Sequence, residues 1–137
     1  MSVEDLQNEL PKAFSSESYQ EKQSALKESY ADKQRTLFKK LDQSAAERQI
    51  TIQKTQTGYQ TIPLLDDKPM SQEAFQQLSE DQRAAIEENI RALKAETEAT
   101  LREISKLGQT LRDQIENLMA EVTLFVVRNR LDILKSA

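Results

Sequence analysis

The sequence predicts a mainly α fold: a long antiparallel helical hairpin, with a small two-stranded β-hairpin and a short helix between the long helices. Three observations predict it. First, charged residues make up 31% of the 137 residues and the hydrophobic class only 37%, with two glycines, three prolines and no tryptophan. A compact globule of this length carries more apolar residues and more turn glycines, and a disordered chain more Pro, Gly and Ser. Second, the bulk of the chain is Leu, Ala, Glu, Gln, Lys and Arg, which are helix formers. Third, apolar residues recur at spacings of three and four in two long stretches, interrupted once by a short β-favouring segment.

Residues 3 to about 14 read as a short helix with Ser2 as N-cap and Asp5 in its first turn. Pro11 removes a backbone donor and predicts an end or a kink near that point. Ser15-Ser16-Glu17 is a fresh N-terminal signal, and the long helix it opens is expected over 15–49. Along it, Tyr19, Gln23, Leu26, Tyr30, Lys33, Leu37, Leu41 and Ala45 form one narrow stripe. At ~1.5 Å per residue this helix spans about 50 Å.

The period then changes from helical to alternating. Ile50-Thr51-Ile52 and Tyr59-Gln60-Thr61-Ile62 favour strands, and Gln56-Thr57-Gly58 supplies a turn, so a β-hairpin is expected over 50–65. Pro63 cannot donate to a ladder, which makes the second strand an edge or ends it there. Asp66-Asp67-Lys68-Pro69 is a turn, and Ser71 caps a short helix holding Phe75 and Leu78, so 66–78 reads as turn and short helix.

Ser79-Glu80-Asp81-Gln82 has the spacing of a capping box and opens a second long helix over 79–135. Ile86, Ile90, Leu93, Thr97, Leu101, Ile104, Leu107, Leu111, Ile115, Leu118, Val122 and Phe125 step along it by threes and fours. A seam of this kind needs a helical partner. Its length is roughly 80 Å. Gly108 inside it implies close packing there or local bending. From Leu118 to Leu134 apolar residues cover most of the circumference, as in a helix buried on all sides. Leu6, Leu10 and Phe14 can cover only part of that surface, so the 137 residues read as a single arm domain rooted in a larger body. Phe125, Val126, Leu131 and Leu134 are the candidate interface with that body, and self-association through the same end is the alternative use.

Composition removes most chemistry. With no cysteine and no histidine there is no thiolate nucleophile, no imidazole base and no disulfide framework. Gly58 and Gly108 stand too far apart for a phosphate-binding loop, and neighbouring Ser105 and Lys106 on a helix cannot face each other as a dyad. Glu87-Glu88 and Asp66-Asp67 read as solvated helix surface and turn chemistry rather than as metal or acid–base pairs. Arg128 and Arg130 read as amphipathic stems over apolar surface rather than as anion contacts. No catalytic, cofactor-binding or metal residue is therefore assigned to this chain. The net charge of -4 disfavours nucleic acid. No apolar run approaches the ~20 residues of a membrane span, and the acidic N-terminus is unlike a signal peptide, so the cytoplasm is the expected compartment. Tyr19 and Tyr30 share a stripe with Leu26 and Leu37 and belong to packing. Tyr59, beside the turn, either packs under the hairpin or stands exposed as a contact residue.

Three stretches carry a resemblance: ELPKAFSSESYQEKQSALKESYADKQ, TGYQTIPLLDDKPMSQEAFQQLSEDQRAAIEENI and LRDQIENLMAEVTLFVV. Together, from Glu9 to about Leu134, they resemble the helical middle region of bacterial Lon-like ATP-dependent serine proteases of the LonB/LonC type. The family pattern there is P-x-A-F-x-S-x-x-Y, then T-G-[FY]-x-x-x-P-L, then P-[LM]-[ST]-x-E-x-[FY]-x-x-L-[PS], and a long charged helix closing on L-x-x-E-V-x-x-F-x-V. Arg128 departs from the small residue usual after that ending. The resemblance implies a parent that couples an AAA+ ATPase, using ATP and Mg, to a serine-lysine protease in a ring. Both catalytic modules would lie outside this chain. It also implies that the arm engages or gates protein substrates, with Thr57, Gly58 and Tyr59 as candidate contacts. The implied partners are the rest of the parent, its ring neighbours and protein substrates. A prefoldin-like holdase is the competing reading from another class. The Phe75–Leu78 insert and the apolar C-terminal segment fit it poorly. A purely structural coiled coil, the third reading, does not need the hairpin.

Overall fold

The computed structural model describes residues 3–136, and they are mainly helical with one small antiparallel sheet. In order the elements are α1 (Val3–Phe14), α2 (Glu17–Glu47), β1 (Ile50–Thr55), β2 (Gly58–Leu65), β3 (Lys68–Pro69), α3 (Gln72–Gln76) and α4 (Glu80–Ser136). The chain packs as two compact units. One is Met1–Lys33 with Lys106–Ala137, the other Gln34–Ser105, and α2 and α4 contribute residues to both.

In the first unit α1 runs through Pro11 to Phe14, so the proline neither ends the helix nor interrupts it. The expected cap at Ser2 lies outside the described residues. The α1–α2 junction is built by two serines. Ser15 Oγ donates to the Pro11 carbonyl at 2.7 Å, and Ser16 Oγ donates to the Ala13 carbonyl at 2.7 Å. Ser16 Oγ also accepts from the Tyr19 amide at 3.3 Å, which makes it the N-cap of α2. Phe14 meets the buried Tyr19 edge to face, with ring centroids 5.3 Å apart. Glu9 of α1 forms an ion pair with Arg130 of α4. Tyr30 lies against Gly108, while Tyr19 shares a groove with Leu118, Val122 and Val126. Earlier residues of α2 thus meet later residues of α4, so the two run antiparallel here. At Gly108 α4 is continuous, and an added methyl would sit 3.7 Å from the Tyr30 hydroxyl, an ordinary contact.

The second unit holds a core of Leu41, Ala45, Ile50 and Leu93, flanked by Phe38, Ile52 and Ile90. Over this core Arg48 Nη2 pairs with Glu96 Oε1 at 3.1 Å. Ser44 Oγ, which accepts from Arg48, donates to Glu96 Oε2 at 2.5 Å. α2 ends at Glu47 rather than 49, because Gln49 turns left-handed at φ 55. That conformation usually falls to glycine, so composition gave no sign of it. The α4 seam is buried or half-buried from Ile86 to Val122. Beyond it the buried residue is Val126, not Phe125. A helix of 3.6 residues per turn drifts against a fixed heptad, and the fourth-residue step wins there. On α2 the same drift leaves Lys33 exposed and turns Gln34 inward.

The sheet corrects the sequence expectation most clearly. It has three strands, in the order β1-β2-β3, not two. Asp66 and Asp67 both take positive φ (53 and 63), the signature of a tight two-residue hairpin that pairs Leu65 with Lys68. β2 does not stop at Pro63. The Leu64 amide bonds the Gln49 carbonyl at 2.8 Å, and pairing alternates from there, so Pro63 opposite Ile50 is a non-hydrogen-bonded position. Its missing donor points away from β1, and its carbonyl accepts from the Met70 amide at 2.8 Å. Pro63 is where β2 changes partner from β1 to β3, at no cost to the ladder.

Candidate interaction site

Gln56 and Thr57 form the loop between β1 and β2, and Thr57 and Gly58 are exposed. Gly58 has φ 147 and nothing within 4 Å of where a side chain would stand, so it meets open space at a backbone angle that L-residues avoid. Tyr59 does both of the things open to it. Its ring leans on Phe38, with centroids 6.4 Å apart, and the residue keeps 39% of its surface exposed. The three sequence-predicted contact residues are therefore contiguous and exposed, and Tyr59 rests on Phe38, which packs against the core.

The register fixes which main-chain groups of this hairpin are free. Thr51–Ile62, Gln53–Gln60 and Thr55–Gly58 are the hydrogen-bonded pairs. Ile50, Ile52 and Lys54 on β1 then direct their amides and carbonyls away from β2. Ile50 is shut off at 2% exposure, whereas Ile52 is half-buried and Lys54 exposed. Among the described residues no main-chain bond reaches the outward groups of Ile52 or Lys54.

The four residues expected at an interface behave differently. Phe125 (64% exposed), Leu131 and Leu134 are open, while Val126 at 7% is covered within its own unit. Beside them an open groove of about 890 Å³ is lined by Lys12, Tyr19, Leu118, Val122, Phe125 and Ile133, among others. Its walls mix charged and apolar groups. Arg130, which lines the groove, is committed to Glu9, and Arg128, outside the lining, is exposed. This groove was not legible in the sequence, since it needs α1 laid over α4.

Of the adjacent carboxylates, Asp66 and Asp67 form a turn and Glu88 has an ion-pair partner. Glu88 binds Arg91 through Oε2 at 2.7 Å on the helix surface. That hydrogen bond, with the accompanying charge attraction, raises the Arg91 pKa further and keeps it cationic. Among the described residues no group of three or more acidic, His or Cys side chains could hold a metal ion, and no helix is long and apolar enough to cross a membrane. No family model, curated protein or solved structure matches the chain.

Proposed function

We propose that the chain is a non-catalytic helical arm of a Lon-like ATP-dependent serine protease, engaging or gating protein substrates for ATPase and protease modules outside it. The observation that carries this reading is where the quoted motifs fall. The T-G-Y segment closes the exposed turn and opens β2 of a core-supported hairpin, Ser71 caps α3, and Ser79 with Gln82 caps α4. Each stretch of the resemblance that is not plain helix therefore has a defined conformational task. Exposed loop residues on a packed support are where binding concentrates, which favours substrate contact at Thr57–Tyr59 over a purely structural role. The apolar face with Phe125, Leu131 and Leu134 is the surface for the parent's remaining modules. ATP and Mg belong to those modules, and the cytoplasm is the compartment.

The first test is the reading frame around this segment, where a phosphate-binding loop and a serine-lysine protease module are expected. A frame without them overturns the assignment. In the parent, Tyr59→Ala is expected to slow degradation of a protein substrate several-fold, leaving cleavage of a short diffusible peptide and basal ATPase unchanged. Equal losses on both substrates would indicate damaged assembly, and no loss on either would remove the hairpin from the mechanism.

A further inference from the structure

β1 is a terminal strand whose outer edge is open at two residues. Such an edge presents main-chain donors and acceptors in the spacing of a β ladder, and what complements it is another extended main chain. Folded proteins blunt exposed edges with proline, bulges or very short strands. On the opposite side β3 has two residues, ends in Pro69 and covers β2 only at Leu64 and Leu65, so Tyr59 and Thr61 form a second outward edge beside the turn. The β1 side carries none of these devices over Thr51–Thr55, and only the Lys54 side chain guards it. It is also the part of the sheet best anchored beneath, since Ile50 is fully buried and Ile52 packs against the Leu41–Leu93 core. An unpaired edge, half-buried at Ile52 and exposed at Lys54, lies directly next to the exposed turn.

We propose that the outer edge of β1 takes up an extended segment of polypeptide as an added strand, paired main chain to main chain with Ile52 and Lys54. This deepens the reading of the hairpin as a substrate-engaging element and rests on it. Pairing of this kind reads conformation rather than sequence, because every residue except proline offers the same donor and acceptor. The occupant is thus an unfolded stretch with free amides, of whatever sequence. Two outward residues allow about four main-chain bonds, so binding is weak and quickly reversed, as handing a substrate onward requires.

The register supplies a sharp test. Lys54 is at a non-hydrogen-bonded position opposite Tyr59, so a proline there leaves the β1–β2 ladder intact and deletes only the outward donor. The probe is a fluorescently labelled Val- and Thr-rich peptide, with a second version N-methylated at alternate amides, titrated against the 137-residue chain. Wild type and Lys54→Ala are expected to bind the free-amide peptide equally. Lys54→Pro is expected to bind it at least about tenfold more weakly. For wild type the N-methylated peptide is expected to fail similarly, a readout that does not depend on any variant folding. Hydrogen exchange at the Ile52 and Lys54 amides should slow on adding peptide. Loss of binding in Lys54→Ala would assign the effect to the side-chain charge and overturn the proposal. So would equal binding of both peptides, no binding by wild type, or protection at Tyr59 and Thr61 instead. A parent lacking protease modules would remove the substrate role while leaving strand addition standing. Failure to bind peptide would remove strand addition and leave the arm assignment standing.

Discussion

Gly108 and Gln49 are mismatched to their backbones in opposite senses. Gly108 sits in the middle of a continuous helix, where glycine costs about 1 kcal/mol against alanine through unfolded-chain entropy. The Tyr30 ring leaves room for a methyl at ordinary contact distance, so no clash offsets the gain. Gly108→Ala is expected to stabilise the chain by roughly 0.5–1 kcal/mol, read as a higher denaturant midpoint at unchanged slope. A loss of stability would mean that Tyr30 is held more rigidly than its contacts imply. Gln49 bears the reverse mismatch, a non-glycine residue held left-handed after the last turn of α2. Gln49→Gly relieves that strain and is expected to raise stability by about 1 kcal/mol in the same measurement. Of these two sites the sequence displayed one. A glycine in a helical pattern is visible as a letter, but a glutamine in a glycine's conformation is not. Tyr59 follows the same logic: its composition allowed packing or exposure, and only the position of Phe38 makes it half of each.

At the scale of elements, what was legible is what repeats. The α4 seam recurs over twelve positions, and its phase could be read until helical drift moved burial from Phe125 to Val126. The hairpin could be read because β-branched residues flank a glycine. β3 could not, since two residues ending in proline carry no periodicity, and it exists only because Asp66 and Asp67 take positive φ. The same limit hid the open edge of β1, which is a matter of how many neighbours a strand has. Where local chemistry is reciprocal the sequence speaks plainly, as at the head of α4. The Ser79 amide donates to Gln82 Oε1 at 3.0 Å, and the Gln82 amide donates to Ser79 Oγ at 3.2 Å. Ser79→Ala is expected to cost about 1 kcal/mol in chemical denaturation. Leu93→Ala, at the one seam position with no exposed surface, is expected to cost about 2–5 kcal/mol. A Leu93 variant no worse than the Ser79 variant would mean that the core collapses around the lost volume.

Across the whole molecule, burial is unevenly shared, and stability should be too. Among the described residues both fully buried large side chains, Ile50 and Leu93, belong to the unit formed by Gln34–Ser105. At the other extreme α1 contains no buried residue among those described. It is held by half-buried Leu6, Leu10 and Phe14, by the Phe14–Tyr19 contact and by the Glu9–Arg130 ion pair. A twelve-residue helix is marginal in water without tertiary support, and Pro11 takes away one of its internal bonds. α1 should therefore open on its own, at a small fraction of the global unfolding free energy, while the amides around Leu93 exchange only on global unfolding. Native-state hydrogen exchange read by mass spectrometry checks this: α1 peptides are expected to exchange early, and those spanning Ala92–Thr97 last. Arg130→Ala sharpens the test. The pair is partly exposed, at 29% and 41% of its side-chain surfaces, so it contributes about 0.5–1 kcal/mol and is weakened by salt. Its loss should speed α1 exchange about two- to fivefold and leave exchange around Leu93 unchanged. Equal protection of α1 and the Leu93 segment in the wild type would show a single cooperative fold in which α1 is secured by more than these contacts.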